Sequence, residues 1–148
     1  MPTTYTEFTY SPMVAGKFAA ICAPAIMIGS IQIRRLIVQV SGANRVRLTR
    51  HASNATGGNT PTVRPTSDGG AAAVTVVRTE TPTPSITWPS SPGLVMTLPV
   101  KPDKGFAESV IDPTDGGRIT ITSGHSIVLE FLDDHNAEYL IGIELEEP

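Results

Sequence analysis

The chain has 148 residues, 40% of them hydrophobic and 17% charged, with a formal net charge of −3. This length predicts a single domain able to bury a real core, and the composition fits a soluble globular protein rather than a disordered one. The acidic balance gives no reason to expect nucleic-acid binding, and 13 glycines with 13 prolines argue against long helices and for short strands joined by turns.

Residues 1–16 (MPTTYTEFTYSPMVAG) show no sustained periodicity and contain two prolines. They are expected to form an extended N-terminal arm, with Tyr5, Phe8 and Tyr10 as apolar anchors placed to dock on a neighbour. No secretory signal is expected, because no charged stretch precedes an apolar core. Residues 17–148 are assigned to the folded domain. Lys17 to Met27 reads as a strand broken by Pro24, which predicts a sheet edge or a bulge there. Cys22, the one cysteine, excludes an internal disulfide and reads as a small buried hydrophobe. The apolar run between Phe18 and Val40 is interrupted by Pro24, Gly29, Gln32, Arg34 and Arg35, so no membrane span is expected.

Ser30 to Val40 is the strongest central strand. Ile31 and Ile33 share one parity, whereas Leu36, Val38 and Val40 continue on the other. A β-bulge at Arg34-Arg35 restores a single buried face. Ser41-Gly-Ala-Asn is predicted as a tight turn, and Arg45 to Arg50 as a strand with Val46 and Leu48 inward and Arg45, Arg47 and Arg50 outward. The two strands are expected to pair as a basic hairpin. Residues 51–70 form a long polar loop, of the kind that is functional or ordered by a partner. Residues 71–79 stay open between a short helix capped by Asp68 and a strand favoured by Val74, Val76 and Val77. The Pro-rich stretch Thr81 to Pro92 is expected to be extended, with Trp88 packing as a lid.

Short strands follow at Leu94 to Val100 and Phe106 to Ile111, then a turn at Asp112 to Gly117. Arg118 to Thr122 and Ser126 to Leu132 are further strands. The last strand begins at Glu138, where Tyr139, Ile141, Ile143 and Leu145 alternate with Leu140, Gly142, Glu144 and Glu146. It is expected to close the fold as a hairpin after a turn at Asp133 to Ala137. The sum is an all-β fold: a single antiparallel β-sandwich, jelly-roll-like, with the extended arm.

The charges are segregated. Five arginines (Arg34, Arg35, Arg45, Arg47, Arg50) fall within 17 residues, and seven of the 14 acids lie after Val128, where no Lys or Arg occurs. A molecule of two signs can pair head to tail, dock on a charged scaffold, or simply solvate both runs. The basic strands lack aromatics for base stacking, so an acidic protein surface, this chain's own last strand included, is the better complement.

No polar cluster reads as a catalytic frame. His51, His125 and His135 form no H-x-H or H-E-x-x-H spacing, and no metal or cofactor is expected. Asp133-Asp134-His135 is read as a turn rather than a cation site, and Ser123-Gly-His-Ser126 as a turn rather than a nucleophile beside its base. Gly57-Gly58 and Gly69-Gly70 lack the lysine and helix of a phosphate loop. The chain is not expected to be an enzyme.

The order of basic strands, the Ala/Thr/Gly loop from Ala55 to Asp68, an Ala/Val segment, a Thr/Pro-rich linker and a closing acidic strand resembles tailed-bacteriophage capsid decoration (cement) proteins of β-sandwich or jelly-roll type. The resemblance covers the chain from about Gly29 onward. It implies a virion protein made in the host cytoplasm, a homotrimer on the outer capsid surface that clamps the major capsid protein against internal pressure, with no catalytic residue. Under this reading the partner contacts are Tyr5, Phe8, Tyr10, Arg45, Arg47 and Arg50. The alternative is a receptor- or carbohydrate-binding module of a phage fibre or tail tip, its site lined by Trp88 and the 51–70 loop. A small hydrolase on a sandwich scaffold is the third.

Overall fold

A computed structural model describes the backbone of residues 3–13, 16–40, 44–65, 70, 72–79, 86–89, 92–100, 107–111, 119–132 and 137–148. Every regular element among them is a strand: β1 (Thr3–Met13), β2 (Gly16–Cys22), β3 (Ser30–Val40), β4 (Asn44–His51), β5 (Thr56–Gly57), β6 (Arg64–Pro65), β7 (Val76–Thr79), β8 (Ile86–Thr87), β9 (Pro92–Val100), β10 (Ala107–Ile111), β11 (Ile119–Thr122), β12 (Ser126–Phe131) and β13 (Ala137–Glu146). The segment left open between helix and strand is therefore strand over Val76–Thr79.

One sheet has the order β10-β3-β13-β1-β6, with β11 also on β3; the second has the order β7-β2-β12-β4-β9; β5 and β8 make a small ribbon. All pairings are antiparallel, and those of the following strands are nested one inside another. β1 pairs with β13, β2 with β12, β3 with β10 and β11, and β4 with β9. The chain thus folds as one long double strand rolled so that β13 also meets β3 and β12 also meets β4.

This order corrects both hairpin expectations. β3 and β4 lie in different sheets, and so do β12 and β13. The reason is physical. Each of these strands has one apolar face, and placing consecutive strands on opposite sides of the core lets those faces meet across it. Period-2 alternation specifies which face is buried but not which strand lies alongside. The core between the sheets joins Ala19, Ile21, Leu48, Val77, Ile127 and Leu129 of the second sheet to Ile31, Ile33, Leu36, Ile119, Ile121, Ile143 and Leu145 of the first.

The bulge expected in β3 is present. Ile33 pairs with Leu145 and Arg35 with Glu144, which leaves Arg34 as the extra residue. Ile31, Ile33 and Leu36 are consequently all fully buried despite their mismatched parity. At the same point on the other side of β3, β11 ends and β10 begins.

Two further expectations change. The residues read as an arm form β1, whose positions Thr3 to Met13 pair along β13 within the chain's own first sheet. β2 stops at Cys22, before Pro24, and lies inside its sheet between β7 and β12; its irregularity falls at Phe18, which the ladder to β12 skips. Of the turns expected at 41–44, 112–117 and 133–137, Asn44 and Ala137 are described, as the first residues of β4 and β13; the rest of them, with Gly69, lies outside the described residues.

The second sheet is covered on its outer face as well. Ala20, Cys22 and Val128 point away from the main core and pack with Ala55 and Ile86, and Val76 and Trp88 pack against this cluster. Trp88 is a lid, as its sequence context suggested. Gly58 makes the close approach possible: its φ is +73°, and a Cβ there would stand 2.8 Å from the Thr79 carbonyl oxygen. Gly58 thus serves the packing of the ribbon.

Cys22 is buried in this outer cluster. Burial raises its pKa above the ordinary 9.0, against smaller opposing effects from a hydrogen bond to the Ala55 backbone and from Arg78. Two outcomes follow. The thiol resists alkylation by iodoacetamide until the protein unfolds, which mass spectrometry across a urea series reads directly. Because the folded pKa is the higher one, the contribution is fully present below pH 9.0 and is lost as pH rises toward the folded value. A Cys22→Ala variant therefore loses less stability between pH 8 and pH 10 than the parent does.

Candidate partner-binding surface

The basic strands are met by the acidic ones inside a single molecule. On the outer face of the second sheet Glu130 of β12 stands in register between Lys17 of β2 and Arg47 of β4. The Arg47 guanidinium donates to the Glu130 carboxylate. Arg34, carried outward by the bulge, pairs with Glu146 at 3.3 Å. Both pairs are partly exposed, so each contributes on the order of 0.2–1 kcal/mol. Their effect is on register, since opposite charges facing each other across neighbouring strands disfavour a slipped ladder.

Arg50 behaves differently from Arg47. It shares the parity of buried Leu48, and its guanidinium donates to the carbonyl of Thr120 on β11. It thereby ties the second sheet to the first. The expectation that Arg45, Arg47 and Arg50 share one outward face fails for Arg50, because the odd spacing from Arg47 puts it on the opposite side of β4. Arg45 occupies the register position opposite Pro99; its side chain lies outside the described residues.

The aromatic anchors also take positions in the chain's own sheet. Tyr5 stands opposite Glu144 on one side and Arg64 on the other, Phe8 opposite Ile141, and Tyr10 opposite Tyr139. Their side chains lie outside the described residues.

The polar groups considered for catalysis are engaged locally. The Ser126 hydroxyl donates to the Ser53 carbonyl at 2.7 Å. The His125 ring places Nδ1 at 3.0 Å from the Thr122 hydroxyl and 2.9 Å from the Ser123 carbonyl, inside the turn that carries the chain from β11 to β12. His51 Nε2 lies 2.9 Å from the Thr49 hydroxyl, both residues being buried. Among the described residues no group of three His, Cys, Asp or Glu side chains is placed to hold a metal ion, and no helix is long and apolar enough to cross a membrane.

Two features escaped the sequence reading. Glu147 is buried, and its carboxylate accepts from the Val74 N–H, the Thr75 N–H at 2.7 Å and the Thr75 hydroxyl at 2.6 Å. Nothing in the run Glu144-Leu-Glu-Glu-Pro distinguishes this acid from its neighbours. Ile26 and Ile28 are 94% and 93% exposed, although the sequence places them in an apolar stretch. Their one visible signal is confinement between Pro24 and Gly29, too short a span for a buried strand.

Comparison of the chain with protein-family models, with curated proteins and with solved structures returned no match.

Proposed function

We propose that the chain is a non-enzymatic virion structural protein: a capsid decoration protein of a tailed phage that binds the major capsid protein as a homotrimer on the outer surface and stabilises its lattice. The observation that supports this most is the nested strand order, in which the first strand lies beside the last, the second beside the next to last, and so inward. We read that order as a jelly roll, an architecture that viral capsid proteins use. The support is by analogy of fold.

The side-chain arrangement adds to it. Ser126, His51 and Glu147, the groups with chemical potential, are engaged in holding the scaffold. The two sheets are tied by Arg50 to Thr120 and by Glu147 to Val74 and Thr75. A body stapled in this way is already ordered before it docks, so little conformational entropy is lost on binding. Repetition over a lattice multiplies a modest contact into firm attachment.

The test is to mix the purified chain with heads assembled without it and to follow cosedimentation, copy number and the temperature at which heads release DNA. Saturable binding in multiples of three with a raised release temperature is the expected result. Failure to bind heads, together with binding to a glycan panel that Trp88→Ala abolishes, overturns it in favour of the fibre-module reading.

A further inference from the structure

We propose that the β2–β3 connection, together with Val74 and Pro148, is an apolar foot that seats in an uncharged hydrophobic depression on the major capsid protein. The inference rests on the decoration-protein reading and names the face that does the docking. Among the described residues the large hydrophobics left exposed are Ile26, Ile28 and Val74. All three belong to one end of the sandwich. Gly29, with φ +91°, is packed so closely on Pro148 that a Cβ there would come within 2.9 Å of the proline Cβ. The neighbouring Glu147 carboxylate holds the Val74 N–H at 2.9 Å.

The foot is rigid. Met27, between the two exposed isoleucines, packs on the main core, and so does Ala73 beside Val74. The connection is pinned where it leaves β2, by the Ala23 N–H to the His125 carbonyl at 3.0 Å and by the Gly124 N–H to the Pro24 carbonyl at 2.8 Å. The Asn54 amide adds a bond to the Ala23 carbonyl at 2.7 Å. Exposed isoleucines on a scaffold held this firmly are preformed anchors rather than residues awaiting burial by local rearrangement.

Charge and area identify the occupant. Segments 18–33 and 69–77 contain no Lys, Arg, Asp or Glu, and beside Pro148 the Glu147 carboxylate is buried on the Val74 and Thr75 N–H groups while Glu146 is paired with Arg34, so the complementary surface is apolar. A patch of this make-up spans on the order of a few hundred Å², whereas a pair of free molecules needs about 800 Å² from each partner. One foot is therefore too small to hold a second copy alone. It suits an attachment in which several feet engage a repeating lattice together.

The experiment compares the full-length chain with the double variant Ile26→Ser, Ile28→Ser and with the single variant Ile28→Lys, using cosedimentation with heads assembled without the chain, at low and at high salt. Both positions are solvent-exposed, so melting temperature and light-scattering mass stay at the parent values. Affinity for heads falls by about 100-fold or more in the double variant, and high salt leaves parent binding undiminished. Parent-like binding by both variants overturns the foot while the decoration reading stands. A loss of oligomer mass in the variants shows that the patch covers a second copy and overturns it also. Absence of binding by the parent chain removes the decoration reading, and the foot with it.

Discussion

Glu147→Ala lowers the unfolding free energy by about 3–5 kcal/mol, a large share of the roughly 5–15 kcal/mol typical of a domain. The residue follows β13, in the centre of the first sheet, and its carboxylate reaches the stretch that enters β7, at the edge of the second. Glu147 and Thr75 are both buried, at 4% exposure each. Alanine removes the acceptor and leaves the Thr75 N–H and hydroxyl inside without a partner, and each stranded donor costs about 1–3 kcal/mol. The Val74 N–H lies nearer solvent and adds less. Glu147→Gln fills the same space but turns an amide N–H₂ toward donors, so it falls between the parent and the alanine variant. Urea unfolding measures the loss. Hydrogen exchange locates it, because β7 amides lose protection before those of β3 and β12. A loss under about 1 kcal/mol for the alanine variant removes Glu147 from the forces that join the sheets.

How far the fold was readable depends on what alternation encodes. The burial of Ile31, Ile33, Leu36, Ile143 and Leu145 follows directly from their spacing, and the bulge follows from the one place where that spacing breaks. Strand partners do not follow, since each apolar face fits any other apolar face. The nested pairing joins residues as distant as Thr3 and Glu146, beyond the reach of any local pattern. β1 went unread for the same reason: its Thr- and Tyr-rich sequence has a weak period of its own and is held by β13. The opposed charges of the middle and last strands were visible, and their meeting inside one chain was one of the outcomes their signs allowed. Arg34 and Arg47 meet Glu146 and Glu130 in that way. Ile26 and Ile28 were hidden because an apolar residue reads as buried unless the path of its loop is known. Glu147 was hidden because a buried acid among exposed ones is distinguished only by the donors around it.

Removing Gln32 from β3 destabilises the protein by at least about 4 kcal/mol, while removing Arg34, two residues away, costs no more than about 2. Both deletions shorten the same strand by one residue, and the bulge separates them. With Gln32 gone, the ladder from Ile33 onward can stay in place. Ile31 then moves to the position opposite Glu146, which faces outward, and Ser30 takes the fully buried place that Ile31 held beside Ile121. Loss of a buried isoleucine and entry of a hydroxyl into an apolar core act in the same direction. With Arg34 gone, Ile33 remains opposite Leu145, Arg35 opposite Glu144 and Leu36 opposite Ile143. Ile31, Ile33 and Leu36 then fall on one uninterrupted alternation, and every buried side chain keeps its face. What is lost is the partly exposed Arg34–Glu146 pair and some of the space that separates the ends of β10 and β11 along β3. Thermal and urea unfolding of the two deletion variants, read by circular dichroism, gives the comparison. If the Arg34 deletion proves as damaging as the Gln32 deletion, the extra residue is not what reconciles the two halves of the strand.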